Sequence, residues 1–202
     1  NVLRQDIKST NIVYSVKNDE ARLIDWGLST SIIGNKVPEG VRGWPVMFNQ
    51  PFTNLLFHRE VIDWFNNFRT HRDISKMITD NPDENLRDLL YNPLHRVLMR
   101  AIFTDEKSIN DTLGSLGHIR FLESLLKNIS NLKSTYVAQF FSLFRGKKSY
   151  FQALASIICD HLTLALLEYS ITDNQLGAFA EQEFFNQVYR HNCDIFGFIS
   201  CY

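Results

Sequence analysis

Asp6-Ile7-Lys8-Ser9-Thr10-Asn11, followed by Arg22-Leu23-Ile24-Asp25-Trp26-Gly27-Leu28, is the stretch from which the fold is read. Between the two blocks lie two short β-prone runs, Ile12-Val13-Tyr14-Ser15-Val16 and Ala21-Arg22-Leu23-Ile24, separated by the turn-forming Lys17-Asn18-Asp19-Glu20. A hairpin there brings Asp25 back beside Asn11 and Asp6. The two blocks then place together a carboxylate that can take a proton, an ammonium cation, and hard oxygen donors in Asn11 and Asp25. Phosphoryl transfer needs this set: a base that orients the attacking hydroxyl, a cation near the moving phosphate, and ligands for magnesium. Magnesium keeps several waters, so two protein ligands plus nucleotide phosphates suffice. Taken singly, each residue is an ordinary turn or cap residue, and only the joint spacing carries the chemistry.

Outward from the hairpin, residues 29–51 lose periodicity and collect Gly34, Pro38, Gly40, Gly43, Pro45 and Pro51, the composition of an extended loop. A loop this long in a compact domain is usually functional. From about residue 54, helical spacing takes over. Leu86, Leu89, Leu90, Leu94, Val97 and Leu98 make one stripe, and Leu116, Ile119, Leu122, Leu125, Leu126 and Ile129 another. Helices also fit 134–144, 149–170, 177–190 and 194–202. Breaks are expected at Asn81-Pro82-Asp83, Asn92-Pro93, Arg145-Gly146-Lys147-Lys148 and Thr172-Asp173-Asn174.

The 202 residues are 45% apolar, enough for one well-cored domain, and 21 basic against 22 acidic side chains leave a net charge of -1. No global field draws such a chain to nucleic acid or an anionic membrane, so neither partner is expected, and Arg145-Gly146-Lys147-Lys148 reads as a solvated turn. Cys159, Cys193 and Cys201 form no C-x-x-C pair and fit reduced, buried thiols of an intracellular, cytoplasmic protein. The first residues lack the pattern of a signal peptide. The apolar stretch Phe151 to Ile171 is interrupted by Asp160, His161 and Glu168 and reads as a buried helix, not a membrane span. The triplets Asn110-Asp111-Thr112 and Asn128-Ile129-Ser130 are expected by chance in an Asn-rich chain.

The two opening blocks resemble the eukaryotic-type protein kinase family, whose catalytic loop reads H-R-D-x-K-x-x-N and whose metal loop reads D-F-G. The match runs over D-I-K-S-T-N at 6–11 and R-L-I-D-W-G-L at 22–28, and the D-W-G variant is similar to that of casein kinase two. Lys8, second after the base, resembles the serine/threonine branch. The resemblance implies transfer of phosphate from ATP to Ser/Thr hydroxyls of a protein substrate, with Mg2+ and ATP as cofactors. It makes Asp6 the catalytic base, Lys8 the contact to the γ-phosphate, and Asn11 and Asp25 the magnesium and nucleotide ligands. Gly27 and Pro51 take structural places, and Asp194, in Asn192-Cys193-Asp194-Ile195-Phe196-Gly197, resembles the helix Asp that caps the catalytic-loop backbone. Asp63-Trp64 competes for that last role but lacks the following Gly.

The implied fold is mainly α with a small β-hairpin: a kinase-like C-lobe, N-lobe absent, carrying a large helical insertion. Its parts are 1–52 (catalytic loop, metal-loop hairpin and substrate loop), 53–190 (the insertion) and 191–202 (start of the central helix). The resemblance begins inside the catalytic loop, so half of the family's ATP cleft has no counterpart. Weak Mg-ATP binding by the chain alone is expected, with a separate partner supplying the nucleotide lobe or binding the insertion. Arg4-Gln5 stands where the family has His-Arg, which removes the arginine that pairs with a phosphorylated loop. Phe52 stands in place of the glutamate of A-P-E, so no buried ion pair forms there. The segment 42–52 somewhat resembles kinase-like proteins of large DNA viruses, which would place the chain in host cytoplasm or virion. His71-Arg72-Asp73-Ile74 spells the family's opening triplet, but Ser75 and Ile78 occupy the Lys and Asn positions, so it reads as a helix terminus. Two alternatives stand beside the kinase: a small-molecule phosphotransferase of the aminoglycoside or choline kinase type, and an inactive kinase-like interaction module.

Overall fold

The structure, a computed structural model, describes residues 2–4, 7, 9–43, 50–103 and 150–199. They form a mainly helical protein with three two-stranded antiparallel sheets. Strand β1 (Val2–Arg4) pairs with β4 (Ser29–Ser31), Arg4 opposite Ser29. Strands β2 (Ile12–Ser15) and β3 (Glu20–Leu23) make the expected hairpin, Ile12 opposite Leu23. Its turn holds Asp19 at φ 55°, and the Tyr14 hydroxyl donates to the Asp19 carboxylate. The segment 29–51 is more ordered than its Gly and Pro content suggests. Its first three residues are β4, and Glu39–Gly43 form a short helix, α1. Strand pairing uses backbone groups that every residue carries, which is why side-chain composition hides it. Residues 44–49 lie outside the described residues.

A 3₁₀ turn (Phe52–Phe57) leads into α2 (Arg59–Arg69), α3 (Arg72–Asp80) and α4 (Leu86–Phe103). The His71-Arg72-Asp73 triplet is a helix start: the His71 ring accepts the Asp73 N–H at 3.3 Å, and the two side chains are 63% and 83% exposed. The break at Asn81-Pro82-Asp83 is present, and Asn85 caps α4 by accepting the Arg87 N–H at 2.9 Å. The break expected at Asn92-Pro93 is not there, because α4 runs through Pro93. An interior proline costs about 3 kcal/mol. Leu86, Leu90, Leu94 and Leu98, all at most 3% exposed and one turn apart, outweigh it by packing on the next helix, α5 (Tyr150–Glu168). The Tyr91 hydroxyl also donates to Asp160 of α5 at 2.6 Å, and Arg87 pairs with Glu168 at 2.6 Å.

A hairpin of β5 (Ile171–Thr172) and β6 (Gln175–Leu176) turns through Asp173 and Asn174, both left-handed at φ 50° and 57°. From α6 (Glu181–Phe184) the chain continues through a π-helical turn (Phe185–Tyr189) into α7 (Arg190–Ile199). The helix expected from 177 therefore starts at 181, because the Gly177 and Ala180 N–H groups go to the Ser170 and Tyr169 carbonyls, each at 2.7 Å. The gap expected between 190 and 194 is also closed. The adjacent Phe184 and Phe185, then Tyr189 and Cys193, are buried on three successive turns, the first three residues against the Phe57 ring, and the burial carries the helix across. The stripe 116–129, the helix 134–144 and the turn 145–148 lie outside the described residues.

One hydrophobic core joins Leu3, Val37 and Val41 from the first stretch to Phe57, Phe65, Leu94, Leu166 and Tyr189 from the second and Cys193 from the third. Among the described residues no helix is long and apolar enough to cross a membrane.

Candidate functional site

The β2–β3 ladder sets the site. Past the Ile12–Leu23 rung, the Ile24 N–H donates to the Asn11 carbonyl at 2.8 Å, so the open end of the hairpin brings Asn11 and Asp25 onto neighbouring rungs. Asn11 is buried, whereas Asp25 is exposed. Asp25 has φ 58°, a left-handed backbone that a non-glycine residue adopts at a cost and that clusters at working sites. Its Oδ1 accepts the Gly27 N–H at 3.3 Å, and a Cβ added at Gly27 would lie 3.3 Å from the same oxygen. Gly27 thus leaves room for the Asp25 carboxylate.

Arg4, two residues ahead of Asp6, is held on three sides. Its backbone pairs with Ser29, its guanidinium lies 3.6 Å from the centroid of the Trp26 ring, and its N–H donates to Asp194 Oδ1 at 3.0 Å across 190 positions. Asp194 is half-buried. Burial raises its carboxyl pKa above the usual range, and the Arg4 N–H and charge oppose that rise. Asp63, the competing candidate, sits on α2 with its side chain 62% exposed and its nearest cation, Arg59, at 3.9 Å. Of the two, the Asp that bonds to the segment just ahead of Asp6 is therefore Asp194. Asp6 and Lys8 themselves lie outside the described residues.

Pro51 is half-buried, and its carbonyl accepts the Asn54 N–H at 2.8 Å as the 3₁₀ turn begins. Behind it runs a buried polar chain that the sequence reading missed. Asn54 Nδ2 donates to Gln50 Oε1 at 3.2 Å, the Tyr189 hydroxyl donates to Asn54 Oδ1 at 3.0 Å, and the Cys193 thiol lies 3.5 Å from that hydroxyl. Where Phe52 rules out an ion pair, this neutral chain ties the end of the loop to the helix that carries Asp194. The one sequence signal for it is Tyr189 and Cys193 at helical spacing directly before Asp194. Burial holds the Cys193 thiol at about 11 and the Cys159 thiol at about 12, so both are inert, un-ionised groups.

Among the described residues no three His, Cys, Asp or Glu side chains cluster as a metal cage. The expected magnesium set is of another kind: one amide oxygen, one carboxylate and phosphate oxygens. Asn11 and Asp25, hard oxygen donors on adjoining rungs with the carboxylate open to solvent, fit such a set in donor chemistry. No protein-family model, curated protein or solved structure matches the chain.

Proposed function

We propose that this chain carries the phosphoryl-transfer portion of a Ser/Thr protein kinase, with a kinase-like C-lobe fold, ATP and a protein hydroxyl as substrates, and an intracellular setting. The observation that supports this most is the Asp194 carboxylate taking the Arg4 N–H just ahead of Asp6. That bond is the one expected of Asp194 from its motif, and it spans nearly the whole chain. In this reading Asp6 orients the attacking hydroxyl and accepts its proton, and Lys8 neutralises charge on the transferred phosphate. Asn11 and Asp25 would hold magnesium, which supplies charge neutralisation at the phosphate oxygens. The hairpin sets the distance between those two residues, and Gly27 and Arg4 keep Asp25 and Trp26 in place.

A second reading, the kinase-like interaction module, is favoured by the apolar surface around the hairpin. Val13, Tyr14, Val16, Ile24 and Trp26 are each 47–85% exposed, apolar area spread around the hairpin, part of which a nucleotide-binding partner lobe would cover. Transfer of labelled phosphate from Mg-ATP to casein decides between the two. At Mg-ATP high enough to offset the weak binding expected of the chain alone, wild type is expected to label Ser and Thr slowly, with Asp6→Asn and Asp25→Asn at least ~100-fold slower again. Equal labelling by wild type and Asp6→Asn sinks the catalytic reading; no labelling by wild type, with tight binding of a protein partner at the hairpin, establishes the module.

A further inference from the structure

The segment between Asp25 and Pro51 contains four glycines and three prolines when its end is counted, and such a chain costs entropy to hold in one form. A phosphate paired with arginine is one way to order a loop of this kind. Here three consecutive contacts from one helical run hold it. The Val37 N–H donates to Gln182 Oε1 at 3.2 Å, Asn186 Nδ2 donates to the Asn35 carbonyl at 2.8 Å, and Arg42 Nη2 donates to Glu181 Oε2 at 2.8 Å. Val37 and Val41, between these bonds, are buried in the core. The holding residues are themselves held. Asn186 Nδ2 also donates to the Gln182 carbonyl at 2.8 Å, and its Oδ1 accepts from Arg190 at 2.9 Å. The Glu181 carboxyl, raised by burial, is drawn back down by Arg42 and pushed up by Glu39. The same helical run continues into Tyr189 and Asp194, so one element sets the middle of the loop, its end and the segment before Asp6.

We propose that Glu181, Gln182 and Asn186 are positioning residues that latch segment 35–42 in its ordered form without any phosphate on the loop. The latch stands on its own geometry; its consequence for phosphoryl transfer rests on the kinase reading above.

Lys36 and Arg42 lie inside the latched segment, so tryptic cleavage after them, together with hydrogen exchange at the Val37 amide, reads the latch directly. Gln182→Met combined with Asn186→Asp removes the acceptor and the donor while keeping an oxygen for Arg190. Loss of the two bonds is expected to speed Val37 exchange and cleavage after Lys36 by about tenfold, whereas Gln182→Glu, which keeps an acceptor, leaves both at wild-type rates. Unchanged rates in the double variant overturn the proposal. Should that variant unfold, Arg42→Glu is expected to expose Lys36 to trypsin and the swap Arg42→Glu with Glu181→Arg to protect it again; failure of the swap to protect overturns it equally. For phosphate transfer, the double variant is expected to raise KM for the protein substrate with Mg-ATP binding unchanged, and phosphatase-treated wild type to match untreated. A wild type that transfers no phosphate and instead binds a protein partner at the hairpin removes the kinase reading, while exchange and cleavage still decide the latch.

Discussion

The β2–β3 hairpin and the α4–α5 pair are assembled by different forces. None of the residues Ile12–Leu23 is buried; Val13 and Tyr14 are 48% and 55% exposed, and order there comes from a backbone ladder and a turn. In α4, Leu90, Leu94 and Leu98 are fully buried against α5. A two-stranded hairpin is at best marginal by itself in water. Asn11 and Asp25 therefore sit beside the part with least packing, and the chain on either side of the hairpin is moored to the helical run 181–199, through Arg4 and Asp194 at one end and the 35–42 contacts at the other. Chemistry needs exposed polar groups in a defined geometry, and such groups cannot supply their own core.

The sharpest way to break this contrast is to cut into each part separately. Leu94→Ala is expected to cost about 2–5 kcal/mol in urea unfolding, since it empties a fully buried position, while Val13→Ala stays within about 0.5 kcal/mol. Equal losses would mean that the hairpin is packed after all. The mooring comes next in size. Asp194→Ala removes the acceptor for the Arg4 N–H and is expected to cost about 1–3 kcal/mol.

Asp194→Asn keeps an oxygen there and sharpens the electrostatic side of the comparison. Burial raises the Asp194 pKa above its ordinary 3.8, so its contribution is most favourable below that value and is lost as pH rises through the raised one. At neutral pH the Asn variant is therefore expected to match or exceed wild type in stability, with the advantage disappearing on acidification below 3.8. A wild-type protein that gains stability relative to Asn as pH rises would reverse this sign. Small in stability too is Gly27→Ala, expected to shift unfolding by no more than about 1 kcal/mol. Its new Cβ crowds Asp25 Oδ1, so under the kinase proposal its larger effect is expected to be a raised magnesium requirement for phosphate transfer. An unaltered magnesium dependence would detach Gly27 from Asp25.

Much of the local structure was legible in sequence. The hairpin follows from two β-prone runs around Lys17-Asn18-Asp19-Glu20, and the harmless nature of His71-Arg72-Asp73 follows from what stands after it. Misreadings fell where tertiary contacts overrode a local signal. Pro93 says "break", but the leucine stripe on both sides keeps α4 whole. Gly and Pro in 29–51 say "loop", yet β4 forms because β1 offers it a backbone partner. The stretch 177–180 reads as helix until its N–H groups are taken by Tyr169 and Ser170.

For the candidate site, the sequence by itself determined which chemical groups are available, at Asp6, Lys8, Asn11 and Asp25, and that a hairpin joins them, because side-chain chemistry and turn propensity are local properties. It also named Asp194 and left Asp63 beside it as a rival. Only the tertiary structure shows that Asp194 is the one bonded to Arg4, since a hydrogen bond across 190 positions depends on how helices pack and not on any neighbouring residue. The same holds for the Gln50–Asn54–Tyr189 chain and for the contacts of Glu181, Gln182 and Asn186 with residues 35–42. Each joins residues whose separation in sequence carries no periodic signal, and they meet only because the core draws both ends of the chain to one place.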